Sequence, residues 1–187
     1  MDKKENPLAV QSKQWILNAL LELMRQKSYH NISVKELAAK AALDRKTFYR
    51  HFKHKEDVLY LVIKEACERY ILELRKLSEL SSYEITRAYF SVCAQYTDFF
   101  DLLDRNGMLL LVLTKFDEYL PRLNEMFLTH PAYRPKSDYE LIYQAGGFWN
   151  VTVHWIRNGT KEKPEELAGI VSAFMIPSSK QARCPTG

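Results

Sequence analysis

Apolar residues recur every three or four positions along nearly the whole chain, and strand-like alternation is nowhere sustained. This period commits the chain to helices that each bury one stripe, because a helical pattern cannot keep one face of a strand apolar. Only 6 glycines and 7 prolines occur in 187 residues, most of them between the periodic segments. With 47% hydrophobic residues the chain can bury a real core. The expected fold class is all-α, with nine or so helices.

The same inventory narrows the function classes. Cys67, Cys93 and Cys184 are odd in number and widely spaced, so neither a disulfide framework nor a zinc site is expected, and a reduced, cytoplasmic setting fits. Cys93 reads as a small core residue. The longest apolar stretch, Met108 to Leu113, is far below a membrane span, and the opening MDKKENPLAV has no apolar run behind its lysines, so no membrane partner and no export are expected. No glycine-rich phosphate loop, nucleophile elbow or His-Glu-x-x-His motif is present, which argues against an enzyme and implies no cofactor. Asp98, Asp101 and Asp104 are spaced by three but lack matching ligands, so they read as a solvated helix end rather than a metal face.

Charge is distributed unevenly. Residues 1–64 hold 13 Lys and Arg against 7 Asp and Glu, whereas the remainder holds 14 against 16. A basic module is attached to a near-neutral body, which is how a polyanion-binding protein is built.

Within the basic module, a first helix is expected from Ser12 to Gln26, with Ile16, Leu17, Leu20, Leu21 and Met24 at helical spacing. Ser33 followed by Glu36 is a capping-box pattern and fixes a helix start at Val34. Asp44 is a good N-cap for a third helix from Arg45 to Phe52. Two short helices separated by three or four residues form a helix-turn-helix pattern. At 100° per residue, Phe48 and Phe52 share one face, while Lys46, Tyr49, Arg50 and Lys53 lie roughly opposite. The apolar face should meet Val34, Leu37, Ala38 and Ala41, leaving the other to offer donors to phosphates and base edges, with Arg45 where a recognition helix enters the major groove. A long connector helix starts near His54–Asp57 and runs past Leu74.

The stretch from Ile32 to Leu59, and above all Thr47-Phe48-Tyr49-Arg50-His51-Phe52 followed by Lys55-Glu56-Asp57 and Leu59, closely resembles the DNA-binding segment of the Tet repressor (TetR/AcrR) family of transcriptional regulators. The resemblance covers about residues 10–60. It implies that Thr47, Tyr49, His51 and Lys55 hold phosphates, that Arg45, Lys46 and Tyr49 face the groove, and that double-stranded DNA is the partner. Ser33, Lys35, Arg50 and Lys53 complete the candidate DNA contacts. One departure is Ala42, at a turn position where the family commonly has glycine.

The body is expected to hold helices around 82–100, 108–128, 138–157 and 164–175, with breaks at Arg105–Gly107, Pro131–Pro135 and Asn158–Gly159. Gly159 sits where a helix C-terminal glycine belongs, and Pro164 with two glutamates opens the last helix. The helix near 138–157 carries two apolar stripes, one of Ile142, Gly146, Trp149, Val153 and Ile156 and one of Leu141, Ala145, Phe148, Thr152 and Trp155. Two stripes need two partners, so homodimerisation through the last two helices is expected. Tyr143 to Gly159 through Leu167 looks like the C-terminal domain of a Tet repressor subgroup related to dihydroxyacetone kinase activators, which again implies a dimer.

Domains are therefore placed at 1–56 for DNA binding and 57–176 for regulation and dimerisation, with a disordered tail at 177–187. The resemblance implies a repressor on a palindromic operator, released by a small-molecule effector held near Tyr96, Phe100, Phe116, Trp149 and His154. The competing reading is a helical dimeric interaction protein with a vestigial DNA-binding module.

Overall fold

The computed structural model describes residues 6–128 and 137–175. The described residues form ten α-helices and two short 3-10 turns. None of these helices is long and apolar enough to cross a membrane. The expected break at Pro131–Pro135, the tail at 177–187 and Cys184 lie outside the described residues.

Helix α1 spans Pro7–Gln26 and so begins five residues before the expected Ser12. Its start is set by chemistry that apolar periodicity does not carry: Asn6 Oδ1 accepts from the Leu8 amide at 3.0 Å, and Pro7 opens the helix where no N–H is needed. Ser12 is interior, its hydroxyl donating to the Leu8 carbonyl at 2.8 Å. After a 3-10 turn at Tyr29–Asn31 come α2, Val34–Lys40, and α3, Arg45–His51, both starting where their caps predict. Phe52 is the extended C-cap of α3 rather than its last residue. Helix α4 spans Glu56–Lys76.

Two expected long helices are each divided. Residues 82–100 hold α5, Ser82–Cys93, a 3-10 turn at Ala94–Tyr96, and the start of α6, Thr97–Arg105. Residues 108–128 hold α7, Leu110–Asp117, and α8, Leu120–Leu128. Pro121 explains the second division: it has no N–H to continue α7, but fits the first turn of a new helix. Helix α9 is Asp138–Arg157, as expected, and α10 is Pro164–Ser172.

The chain folds as two compact units, one comprising residues up to Lys64 together with Leu102–Val112, the other Glu65–Asp101 and Leu113 onward. In the first, Ile16, Leu20, Leu37, Phe48, Val58, Leu59 and Leu103 are fully buried and form the core. In the second, aromatic rings supply the centre: Tyr89 stacks on Phe148 at 5.0 Å between centroids, and Phe90 meets both Phe148 and Trp155 edge-on. The Thr152 hydroxyl, fully buried, sits 3.1 Å from the Tyr89 hydroxyl and 2.8 Å from the Phe148 carbonyl, so the polar atoms in this core are satisfied. Burial pushes the thiols of Cys67 and Cys93 up to about 12, leaving both as inert core residues.

Candidate nucleic-acid interface

The geometry around α2 and α3 follows from three local devices. Ser33 Oγ accepts from the Glu36 amide at 3.2 Å and fixes the start of α2. The Glu36 carboxylate in turn is held by Lys27 Nζ at 2.6 Å. Asp44 Oδ1 accepts from the Thr47 amide at 2.5 Å and fixes the start of α3. Hydrogen bonds from the Thr47 amide and hydroxyl, with Arg50 and Lys46 nearby, hold the Asp44 carboxyl below its ordinary range.

Between these caps the chain turns in a Schellman motif: Leu43 N donates to the Ala38 carbonyl at 2.9 Å and Ala42 N to the Ala39 carbonyl at 3.1 Å. The motif puts Ala42 in the left-handed region, at φ +54°. The turn is thus the one the helix-turn-helix pattern requires, and alanine occupies a position that favours glycine.

The expected faces of α3 are both present. Phe48 is fully buried, Phe52 nearly so, and their rings lie 5.6 Å apart. On the other side Arg45, Lys46, Tyr49, Arg50 and Lys53 are exposed, and Ser33 and Lys35 are exposed at the start of α2. Among the described residues, Lys35, Arg45, Lys46, Arg50 and Lys53 make no ion pair. The Arg45 guanidinium lies over the Tyr49 ring, 6.0 Å from its centroid, which aligns the two side chains on one surface. Thr47 and His51 are half-buried, and His51 packs edge-on against Phe52.

Lys55 is placed differently. Its Nζ donates to the carbonyls of Tyr29 at 3.0 Å and Ile32 at 2.5 Å, and it lies 4.3 Å from the centroid of the Tyr29 ring. Burial lowers its pKa from the ordinary lysine value. Two of its three N–H bonds are therefore committed within the protein.

In the second unit two of the five aromatic and histidine candidates, Phe100 and Trp149, meet each other. Phe100 meets Trp149 edge-on at 6.4 Å, while Phe116 meets Tyr89. The Tyr96 hydroxyl is 3.0 Å from Glu65 Oε1, and burial pushes it up to about 12. His154 is exposed, with Nε2 2.7 Å from Asn158 Nδ2. Of the five, only Phe116 lines a small, partly open cavity of about 30 Å³, which also touches Tyr70, Leu123, Leu141, Gln144 and Phe148. Tyr70 and Tyr89 are not among the ligand candidates of the sequence, and Phe148 enters there only as part of an apolar stripe, because a ring at a core position has the same helical spacing as a ring at a ligand.

The two stripes of α9 separate except at the C-terminal end, where Ile156 of the Ile142 stripe is buried as well. Leu141, Ala145, Phe148, Thr152 and Trp155 are buried, whereas Ile142 is 57% exposed and Gly146, Trp149 and Val153 are half-buried. Ile170 and Phe174, near the end of the chain's described part, are 54% and 75% exposed. A groove of about 760 Å³ runs along this surface, lined by Ile142, Tyr143, Gly146, Gly147, Val171 and Phe174.

Two capped short helices, a tight turn and a recognition helix with one buried and one cationic face define a helix-turn-helix DNA-binding protein. Residues 16–60 match the family described as bacterial regulatory proteins, tetR family, so the N-terminal part of the chain carries the DNA-binding module of that family of transcriptional regulators. Solved structures share the fold over nearly the whole chain. Lin0861 from Listeria innocua is 14% identical with a TM-score of 0.77, the match covering 94% of each chain. The transcriptional regulator FadR from Bacillus subtilis, in complex with stearoyl-CoA, is 18% identical with a TM-score of 0.60, covering 87% of this chain and 97% of that one. The dihydroxyacetone kinase operon activator DhaS is 18% identical with a TM-score of 0.50, covering 88% and 93%. At these identities the likeness is one of fold. No match to a curated protein is found.

Proposed function

We propose that the protein binds double-stranded DNA as a homodimer, placing one α3 in each of two major-groove segments about 34 Å apart on a two-fold-related operator. It represses transcription there, and a small-molecule effector releases it. The observation that carries this reading is the face of Arg45, Lys46, Tyr49, Arg50 and Lys53: four cations without ion pairs among the described residues, backed by a fully buried Phe48. A solvated helical face would more commonly pair such charges with carboxylates at helical spacing. On this reading Ser33, Thr47 and His51 hold phosphates, and Lys55 has one N–H left to give to a phosphate while its other two hold the Tyr29–Ile32 strap.

The exposed stripe of α9 supports dimerisation. A Cβ added at Gly146 or Gly147 meets nothing within 4 Å, so nothing within the subunit requires the absence of a side chain there. A second α9 approaching from outside would require it. For the effector, the cavity beside Phe116, only about 30 Å³ in volume, would have to widen several-fold to admit a metabolite. Its lining of rings and leucines, with Gln144 as a polar group, suits an apolar or acyl-chain ligand, and FadR in complex with stearoyl-CoA makes acyl-CoA a rational first probe.

Selection of duplexes from a random pool by the purified full chain tests this reading, with binding repeated at several salt concentrations. Enrichment of a two-fold-symmetric site is expected, and log K should fall with log salt at a slope near −7 for about eight neutralised phosphates. Sequence-blind binding with a slope near zero would overturn it.

A further inference from the structure

The core of the DNA-binding unit includes a segment from far along the chain, Leu102–Val112, and one polar side chain of that segment reaches back across it. Asn106 is the C-cap of α6, whose Schellman motif is completed by Gly107 N to the Asp104 carbonyl and Met108 N to the Leu103 carbonyl. Its backbone is therefore fixed, and its half-buried carboxamide is aimed by the helix end. Oδ1 accepts from the Tyr29 amide at 2.7 Å, and Nδ2 donates to the Met24 carbonyl at 3.3 Å and the Leu102 carbonyl at 2.9 Å.

Both remote partners are groups that their own elements leave unsatisfied. Met24 lies in the last turn of α1, where carbonyls have no intrahelical donor, and Tyr29 opens a 3-10 turn, where the amide has no acceptor behind it. One side chain thus answers the end of α1 and the start of the strap that leads to α2. The strap also carries the two carbonyls that hold Lys55, and it ends at Ser33, the cap of α2.

We propose that Asn106 is a positioning residue for DNA binding: from the α6–α7 corner it fixes the Tyr29–Ser33 strap, and through it the start of α2 and the ammonium of Lys55. The inference rests on the regulator reading above. Asn106 touches no DNA. Its effect is to hold in register the side chains that do.

The test uses the full chain and the duplex enriched by the wild type, with Asn106→Ala and Asn106→Asp compared by affinity and by amide hydrogen exchange. Asn106→Ala is expected to bind about tenfold more weakly, the scale of one or two missing hydrogen bonds, with the salt slope unchanged because no cation is removed from the DNA-facing surface. Asn106→Asp keeps the acceptor for the Tyr29 amide and loses the donor, so its affinity should fall between the two, and it carries the same test if the alanine variant does not fold. A purely structural side chain would leave one readout unmoved. By linkage, DNA should slow exchange of the Gly107 and Met108 amides in the wild type, and this protection should vanish in Asn106→Ala while protection of α3 persists. Wild-type affinity in Asn106→Ala, or no protection of the corner by DNA, would overturn the role of Asn106. Failure of the wild type to enrich any duplex would instead overturn the regulator reading itself.

Discussion

The two units treat their cations differently. In the second, Arg69, Lys76, Arg87, Lys115 and Arg122 each lie within 4.0 Å of a carboxylate, four of them on their own helix or one turn beyond it. In the first, Lys35, Arg45, Lys46, Arg50 and Lys53 make no ion pair among the described residues, whereas Lys27 and Lys40, which lie outside α3, pair with Glu36 and Glu22. A paired surface cation is locally neutralised and contributes little to stability or to long-range fields. An unpaired one retains a counterion that DNA can release. Pairing thus sets the α3 face apart from the paired cations of α4, α5 and α7, although Arg75, Lys161 and Lys163 in the second unit also make no ion pair among the described residues.

This contrast can be broken most directly at α3. Replacing Arg45 and Lys46 together by alanine should weaken binding of the selected duplex by well over tenfold, with unchanged melting. The salt slope should become shallower by about one for each phosphate that is no longer neutralised. Unchanged affinity would mean that the unpaired face is only solvated. The turn offers a sharper but smaller test. Ala42→Gly should stabilise the protein by about 0.5–1 kcal/mol in denaturant titration, because glycine accepts the left-handed angle that strains alanine. Destabilisation would show that the backbone there relaxes.

Acid should also act unevenly. The depressed Asp44 carboxyl contributes stability that is fully present above its ordinary value of about 3.8 and is lost as pH falls through its lower folded value. Exchange of the Thr47 amide should therefore accelerate in that window and not above it. The smallest effect belongs to the second unit. Arg87→Ala removes a pair with Glu84 on the protein surface, and stability should stay within about 0.5 kcal/mol of wild type with the DNA salt slope untouched. A large change in either would erase the distinction between the units.

Much of the local geometry of the proposed DNA-reading surface was legible in the sequence because its determinants are local. Ser33, Asp44 and Gly159 act on residues two to four positions away, and a helical wheel orders Phe48 against Lys46 without knowledge of the rest. What was not legible was non-local or carried by single atoms. The cap at Asn6 extends α1 through the exposed Leu8 and Val10, which do not fit the apolar stripe. Pro121 divides a segment whose periodicity runs on through it. Asn106 reads as a helix stop because glycine follows it, yet nothing in the spacing announces a partner 77 residues earlier. Lys55 lies in a motif that suggests phosphate, while its hydrogen bonds to two carbonyls depend on where the strap comes to rest.

The inclusion of Leu102–Val112 in the first unit has a consequence for how such a protein can be cut and recombined. The DNA-binding module is not a cassette that ends where its motif ends. A fragment stopping at Lys64 would lack Leu103 from its core and leave the Tyr29 amide and Met24 carbonyl without the carboxamide that satisfies them. A chimera meant to transplant its sequence preference must carry the α6–α7 corner as well, so the boundary along which specificity can be exchanged is drawn in space and not along the gene.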